Sequence, residues 1–347
     1  MKGLVLFLKQ MLFVFRTFRR YGHLLRGGHY RLYPSRRAIV HCNSKSIERA
    51  DSYFSGPTGD RKLLFAVRLF NALGILCNRG SKGEYEAVYI ANNYDPVRET
   101  KLFSFEQNKV LVFCVSPEAK EEAWSAYNQL NAFFSMPIMR EMTWPNAYEV
   151  SLIRCLPRAN DYCALENIAM STTAFVKGGN ATLSQRLLRN LLECHSDNAE
   201  EQAIIEEISA YISNEILDAD IPLCMQHGDL SRDNLMYGSA DGKETFWWID
   251  WEHLAERPFA YDMFFYMLNS AVCSGNVGAA REFAAGQYDD ILSDFFRTFG
   301  ITYNKEDRQS WFMAFSMIIL KERVLNRGYL NALKKYRNFL LGNFLQY

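Results

Sequence analysis

Two short stretches concentrate the side chains able to do chemistry. One is Gln226-His227-Gly228-Asp229-Leu230-Ser231-Arg232-Asp233-Asn234-Leu235-Met236; the other is Phe246-Trp247-Trp248-Ile249-Asp250-Trp251-Glu252, with Asp250 sixteen residues after Asn234. The first reads as a loop between short strands, and the second carries its acid at a strand end. Asp229 and Asn234 can face one space from the two ends of the loop, and Asp250 adds a further oxygen donor. Hard oxygen ligands of this kind suit Mg²⁺, which keeps several waters and commonly bridges phosphates. The plainer alternative is that Asp229 and Asn234 serve as turn and cap residues, which both types favour. His227 reads as an anchor for the loop rather than a proton carrier. His41, His195 and His253 read as surface or core residues. Trp247, Trp248 and Trp251 read as core aromatics, with Trp251 also placed to line a pocket.

The elements needed to hold these loops can be read from the apolar pattern. Residues 62–76 have helical spacing and stop before Asn78-Arg79-Gly80. Period-two or β-rich runs follow at Tyr85–Ala91, Lys101–Glu106, Lys109–Val115, Ile138–Met142 and Tyr148–Cys155, with a tight turn at Gln107-Asn108. A helix over Glu118–Phe133, capped near Ser116-Pro117, interrupts them. Beyond residue 160 the pattern predicts helices at 183–194, 199–217, 260–273, 279–299, 305–326 and 329–341, with short strands near 222–226 and 245–250. The division is therefore a leader over 1–60, a β-rich part over 61–156 and a mainly helical part over 157–347, joined near Leu156-Pro157.

HGDLSRDN followed by IDWE resembles the catalytic and metal loops of the aminoglycoside phosphotransferase and choline kinase-like family, relatives of the protein kinases. The resemblance extends to Asp262 in Ala260-Tyr261-Asp262-Met263. It implies an α+β, protein-kinase-like two-lobe fold with a small β-rich N-lobe and a larger helical C-lobe. It also implies ATP and Mg²⁺ as cofactors and transfer of the γ-phosphate to a hydroxyl of a small molecule or glycan. By the same resemblance Asp229 is the base or positioning group for the acceptor, Asn234 and Asp250 bind the metal, and His227 and Asp262 support the catalytic loop. Glu252 would lie beside the acceptor, or else be a solvated loop charge. Lys109, Glu122 (or Glu121), Ile153 and Cys155 fall on the nucleotide side.

The N-lobe departs from the pattern. Cys114 or a neighbour stands where the family carries its phosphate-pairing Lys, leaving Lys109 or Lys101 to reach the phosphate, with Glu122 as the partner. The loop Asn92-Asn93-Tyr94-Asp95-Pro96-Val97 has no glycine, and the chain contains no GxxxxGK[ST] motif. These departures keep open an alternative, a catalytically weak pseudokinase acting as a nucleotide-binding scaffold.

Charge gives the remaining boundaries. The 347 residues hold 39 basic and 39 acidic side chains, yet ten basic residues precede the first acid, Glu48. The rest of the chain is thus acidic, and with no nucleic-acid motif present this argues against a nucleic-acid partner. Residues 4–15 are apolar but broken by Lys9 and Gln10, too short for a bilayer crossing and unlike a secretory signal. Lys2, Lys9, Arg16 and His23 line one stripe of a helix, which is the pattern of an interfacial helix on an anionic membrane surface through residues 1–38. The competing reading is a helix packed on its own protein. The expected location is cytoplasmic, peripheral on the inner face of the cell membrane. Eight cysteines without metal or CxxC spacing predict free thiols. Lys321, Arg323, Arg327, Lys334, Lys335 and Arg337 read as a solvated face, or else as contacts for an anionic acceptor or membrane.

Overall fold

A computed structural model describes all residues except 1, 34–37, 55–66, 69, 91–98, 158, 180–182, 326–328 and 345–347. The fold is α+β, with strands concentrated in the first half and helices in the second. The chain divides into two compact units. One comprises residues 1–127, 137–156 and 238–244, and the other residues 128–136, 157–237 and 245–347. Among the described residues no helix is long and apolar enough to cross a membrane.

The first unit is built from α1 (Lys2–Tyr21), β1 (Arg26–Tyr33), β2 (Ala38–His41), α2 (Ser44–Phe54), β3 (Cys77–Lys82), β4 (Ala87–Ile90), β5 (Thr100–Ser104), β6 (Lys109–Phe113), α3 (Pro117–Leu130), β7 (Met139–Glu141), β8 (Ala147–Ser151) and β9 (Arg154–Cys155). Eight strands form one antiparallel sheet in the order β3-β1-β2-β4-β5-β6-β8-β7. Both faces of this sheet are covered. Val14, Phe18 and Tyr21 of α1 join Ile39, Val88, Leu102 and Leu111 on one side. Ala50 and Tyr53 of α2 join Val40, Ala87, Val110 and Val112 on the other. Burial on both faces explains why β6 reads as the unbroken run Val110-Leu111-Val112 rather than as alternation. The turn expected at Gln107-Asn108 closes with Asn108 at φ 53°, a left-handed position that Asn tolerates.

Two expectations are corrected here. Residues 1–60 are not a separate leader with loops, because β1 and β2 lie inside the sheet and pair through Tyr30↔His41 to Tyr33↔Ala38. The buried Glu86 ties them in: Oε1 accepts from Arg26 Nη1 (3.0 Å) and Ser46 Oγ (3.2 Å), and Oε2 accepts from the Phe105 and Glu106 nitrogens at 2.6 and 3.1 Å. The apolar stripe of α1 also faces inward between Val14 and Tyr21, which favours the packing reading for that stretch, while Arg16, Arg19 and Arg20 remain exposed. Residues 62–66 and 69 of the predicted 62–76 helix, and the whole loop 92–97, lie outside the described residues, while 67–68 and 70–72 are helical.

The second unit contains α4 (Asp161–Gly178), β10 (Ser184–Leu187), α5 (Leu188–Leu192), α6 (Ala199–Ser209), α7 (Asn214–Leu217), β11 (Asp220–Gln226), β14 (Ala255–Pro258), α8 (Tyr261–Ser274), α9 (Gly278–Ala284), α10 (Asp289–Thr298), α11 (Arg308–Arg323) and α12 (Leu330–Arg337). Strands β12 (Leu235–Ala240) and β13 (Lys243–Trp248) start and end in it, while their hairpin, 238–244, belongs to the first unit. Its core is aromatic, with Phe264 stacked on Phe315 at 4.5 Å and Phe283 against Phe312 at 5.3 Å. The stretch 183–194, expected as helix, is instead β10 followed by the short α5, since β10 pairs antiparallel with β11. The helix expected over 279–299 breaks at Gly286, which takes φ +80°.

Candidate active site

Strand β11 ends at Gln226 and delivers His227, Gly228 and Asp229 onto a braced turn. The brace is Asp262 at the first turn of α8, buried, whose Oδ2 accepts from the His227 nitrogen at 2.6 Å and whose Oδ1 accepts from Gly228 at 2.8 Å. Burial pushes the Asp262 pKa up to about 7, against the pull of those two backbone bonds. Gly228 has φ +78°, and a Cβ there would lie 2.5 Å from the His253 carbonyl oxygen and 2.4 Å from Arg257 Nη1, so the turn admits no side chain.

His227 is fully buried. Its Nε2 donates to the Ile249 carbonyl (2.7 Å) while Nδ1 accepts from the Asp229 nitrogen (3.3 Å), which assigns the neutral tautomer. Burial lowers its pKa to about 4, so the ring joins the two loops and stays uncharged at neutral pH. It packs on Trp251 at 4.6 Å, and Trp251 in turn stacks on Trp248 at 5.6 Å in an aromatic layer beneath the loops.

Asn234 Nδ2 donates to the Asp229 carbonyl (2.8 Å) and to Asp229 Oδ2 (3.3 Å), so the two ends of the loop are brought together. With the amide nitrogen engaged, the amide oxygen of Asn234 is the atom left for a cation. The Ile249 nitrogen donates to the Asn234 carbonyl at 3.0 Å, which places Asp250 one residue beyond the same junction. Asp250 has φ +69°, a conformation an Asp adopts at low cost and one that turns the chain sharply after β13. One of its carboxylate oxygens lies within 4.8 Å of one from the exposed Glu252. An amide oxygen and two carboxylates are the donor chemistry of a hard divalent cation. Burial pushes the Asp229 pKa above the usual aspartate value, with Arg323 and His253 pulling the other way.

The inward contacts of four basic residues escaped the sequence reading. Arg323, at the last turn of α11, donates to the Gly228 carbonyl, faces Asp229 Oδ1 at 3.3 Å and lies over the Phe265 ring at 5.3 Å. It is therefore no member of a solvated basic face. Lys321 likewise points inward, onto the Leu191 carbonyl at 2.9 Å. Arg257 is held by Glu322 and donates to the His253 carbonyl at 2.8 Å. Arg232, inside the 227–234 loop, is pinned by Asp161, which also accepts from Tyr266 Oη at 2.9 Å.

The nucleotide-side candidates belong to the first unit. Lys109 Nζ pairs with Glu84 (2.6 Å) and Glu149 (3.0 Å), whereas Glu122 is exposed on α3, so the expected Lys109–Glu122 pair is replaced. Strand geometry accounts for this: β6 and β8 are neighbours with Leu111 opposite Glu149, two residues along from Lys109 on the same face. Lys101 instead lies 3.4 Å from Glu99. Cys114 is buried, and its backbone nitrogen donates to the Asn146 carbonyl. The Ile153 carbonyl accepts from Tyr53 Oη at 2.6 Å, and Cys155 sits in β9 opposite Gly238 of β12. All eight cysteines are free thiols.

No family model matches the chain, and no curated protein does. Among solved structures it is similar to the choline kinase LicA from Streptococcus pneumoniae (11% identity, TM-score 0.44, 82% of this chain and 100% of that one). It is also similar to an ethanolamine kinase of Plasmodium vivax (12%, 0.41, 88% and 95%) and to a glucosamine kinase (14%, 0.42, 74% and 79%).

Proposed function

We propose that the chain is a kinase of the aminoglycoside phosphotransferase and choline kinase-like type, using ATP and Mg²⁺ to phosphorylate a hydroxyl of a small molecule or glycan. The observation that carries the reading is the joining of Asp229 to Asn234, with Asp250 next to that junction, on a loop braced by Asp262 and His227. Asp229 orients the acceptor hydroxyl and takes its proton as the acceptor oxygen bonds to the γ-phosphorus. The bond from that phosphorus to the β–γ bridging oxygen breaks, and ADP leaves with the electron pair. Asn234 and Asp250, with Glu252 alongside, would hold Mg²⁺, which supplies charge neutralisation on the phosphates. His227 and Asp262 take no part in proton transfer and keep Asp229 in place. Mg²⁺-dependent transfer from labelled ATP across an acceptor panel, lost in Asp229→Asn, tests the assignment. Nucleotide binding with no transfer to any acceptor would replace it.

That replacement is the second reading, a nucleotide-binding scaffold. One observation favours it: Lys109, the candidate phosphate contact, is already held by two carboxylates. For location, the reading places the exposed Arg16, Arg19 and Arg20 against an anionic cytoplasmic membrane surface, held by charge rather than by insertion.

A further inference from the structure

The side chains around Asp229 in the helical unit carry the wrong charge for a cationic acceptor. An ammonium compound needs carboxylates or open aromatic faces near its nitrogen. Here Glu322 is occupied by Arg257, and Asp250 and Glu252 form the candidate metal set. The group that reaches Asp229 from α11 is a guanidinium. Arg323 is 14% exposed, and its plane is fixed by the Phe265 ring and the Gly228 carbonyl. Its Nε is sealed from solvent, so the guanidinium meets an acceptor through its Nη edge. A guanidinium held in this way beside Asp229 suits recognition of a carboxylate or phosphate.

Resting on the kinase reading, we propose that the acceptor carries an anionic group close to the hydroxyl that is phosphorylated, and that Arg323 selects it. The acceptor class is a sugar acid or a phosphosugar. Arg323 then shares its charge between Asp229 and the acceptor anion, placing the hydroxyl against the carboxylate that takes its proton. On this account the basic residue on α11 sets specificity.

The test compares glucose, glucuronate, glucose 6-phosphate, glucosamine and choline as acceptors for labelled ATP with Mg²⁺, using wild type, Arg323→Gln and Arg323→Lys. The expected result is that glucuronate or glucose 6-phosphate exceeds glucose in kcat/KM by about 10- to 100-fold, the range of a charge-assisted contact. Glucosamine and choline fall below glucose. Arg323→Gln erases the preference, with the charged acceptors losing more kcat/KM than glucose, and Arg323→Lys restores part of it; which anion wins separates carboxylate from phosphate recognition. Equal loss of kcat/KM on charged and neutral acceptors in Arg323→Gln, or a preference for the amines, overturns the proposal. Calorimetry with the acceptors alone covers the case of no transfer. Glucuronate or glucose 6-phosphate binding that disappears in Arg323→Gln keeps the anion site while the kinase reading falls, and no such binding overturns the anion site as well.

Discussion

The carboxylate of Asp262 accepts the backbone N–H of His227 at 2.6 Å, so the start of the candidate catalytic loop is fixed by a side chain 35 residues further along the chain. The same carboxylate holds Gly228, which makes Asp262 a two-point clamp on the segment that presents Asp229. Asp262→Asn keeps the volume but turns an amide N–H₂ toward one of two backbone donors. The buried donor left unmatched costs about 1–3 kcal/mol. Denaturant unfolding should show that loss, with kcat falling and KM for ATP little changed.

Replacing Gly228 by Ala forces a left-handed residue to carry a Cβ against the His253 carbonyl. Strain of this kind costs about 1–3 kcal/mol. Because the displaced atoms adjoin Asp229, turnover should drop by a larger factor than stability alone explains. Activity measured well below the unfolding midpoint would show the difference.

His227 gives a pH signature. Its pKa falls from 6.5 to about 4 on folding because burial disfavours the imidazolium. The unfolded chain therefore binds this proton first, and stability is full above pH 6.5 and drains away as pH falls toward 4, by on the order of 3 kcal/mol. Subtracting the denaturation profile of His227→Asn from that of wild type should isolate this slope, since the other acids are common to both.

Much of the site could be read from the residues themselves, because its members are close in sequence. Asp229, Asn234 and Asp250 sit within 22 positions, on loops that follow the strongly apolar strands β11 and β13. The clamps were harder to see. Arg323 lies 95 residues from the Gly228 carbonyl it binds, and on the sequence it is one cation among several on a helix. Helix α4 lies outside the helices the pattern predicts, because Ala164, Ala169 and Thr172 make up half of its buried face and weaken the apolar period. Strand β1, Arg26-Gly27-Gly28-His29-Tyr30-Arg31-Leu32-Tyr33, mixes glycine and charge and is recognisable only by its pairing with β2 and β3.

The two roles of α1 separate by mutation. Phe18→Ala removes a buried ring from the sheet core and should cost about 3–5 kcal/mol in unfolding experiments. Arg16→Glu, Arg19→Glu and Arg20→Glu together should leave stability nearly unchanged. They should abolish co-sedimentation of the protein with anionic vesicles at low salt.

Removal of a proposed metal ligand should act on the cation and spare the fold. Asp250→Asn is expected to raise the Mg²⁺ concentration for half-maximal activity by about tenfold or more. A magnesium titration of initial rates, with near-ultraviolet circular dichroism as the check on structure, would reveal it.

The insertion of β2 between β1 and β4 governs how the protein can be shortened. Cutting away the first forty or so residues would strip two strands from the sheet and leave the backbone of Ala87–Ile90 with an open ladder. An unprotected edge of that kind recruits strands from other molecules. A trimmed version made to isolate the catalytic machinery would therefore self-associate, so soluble preparations depend on keeping the chain intact from its first helix.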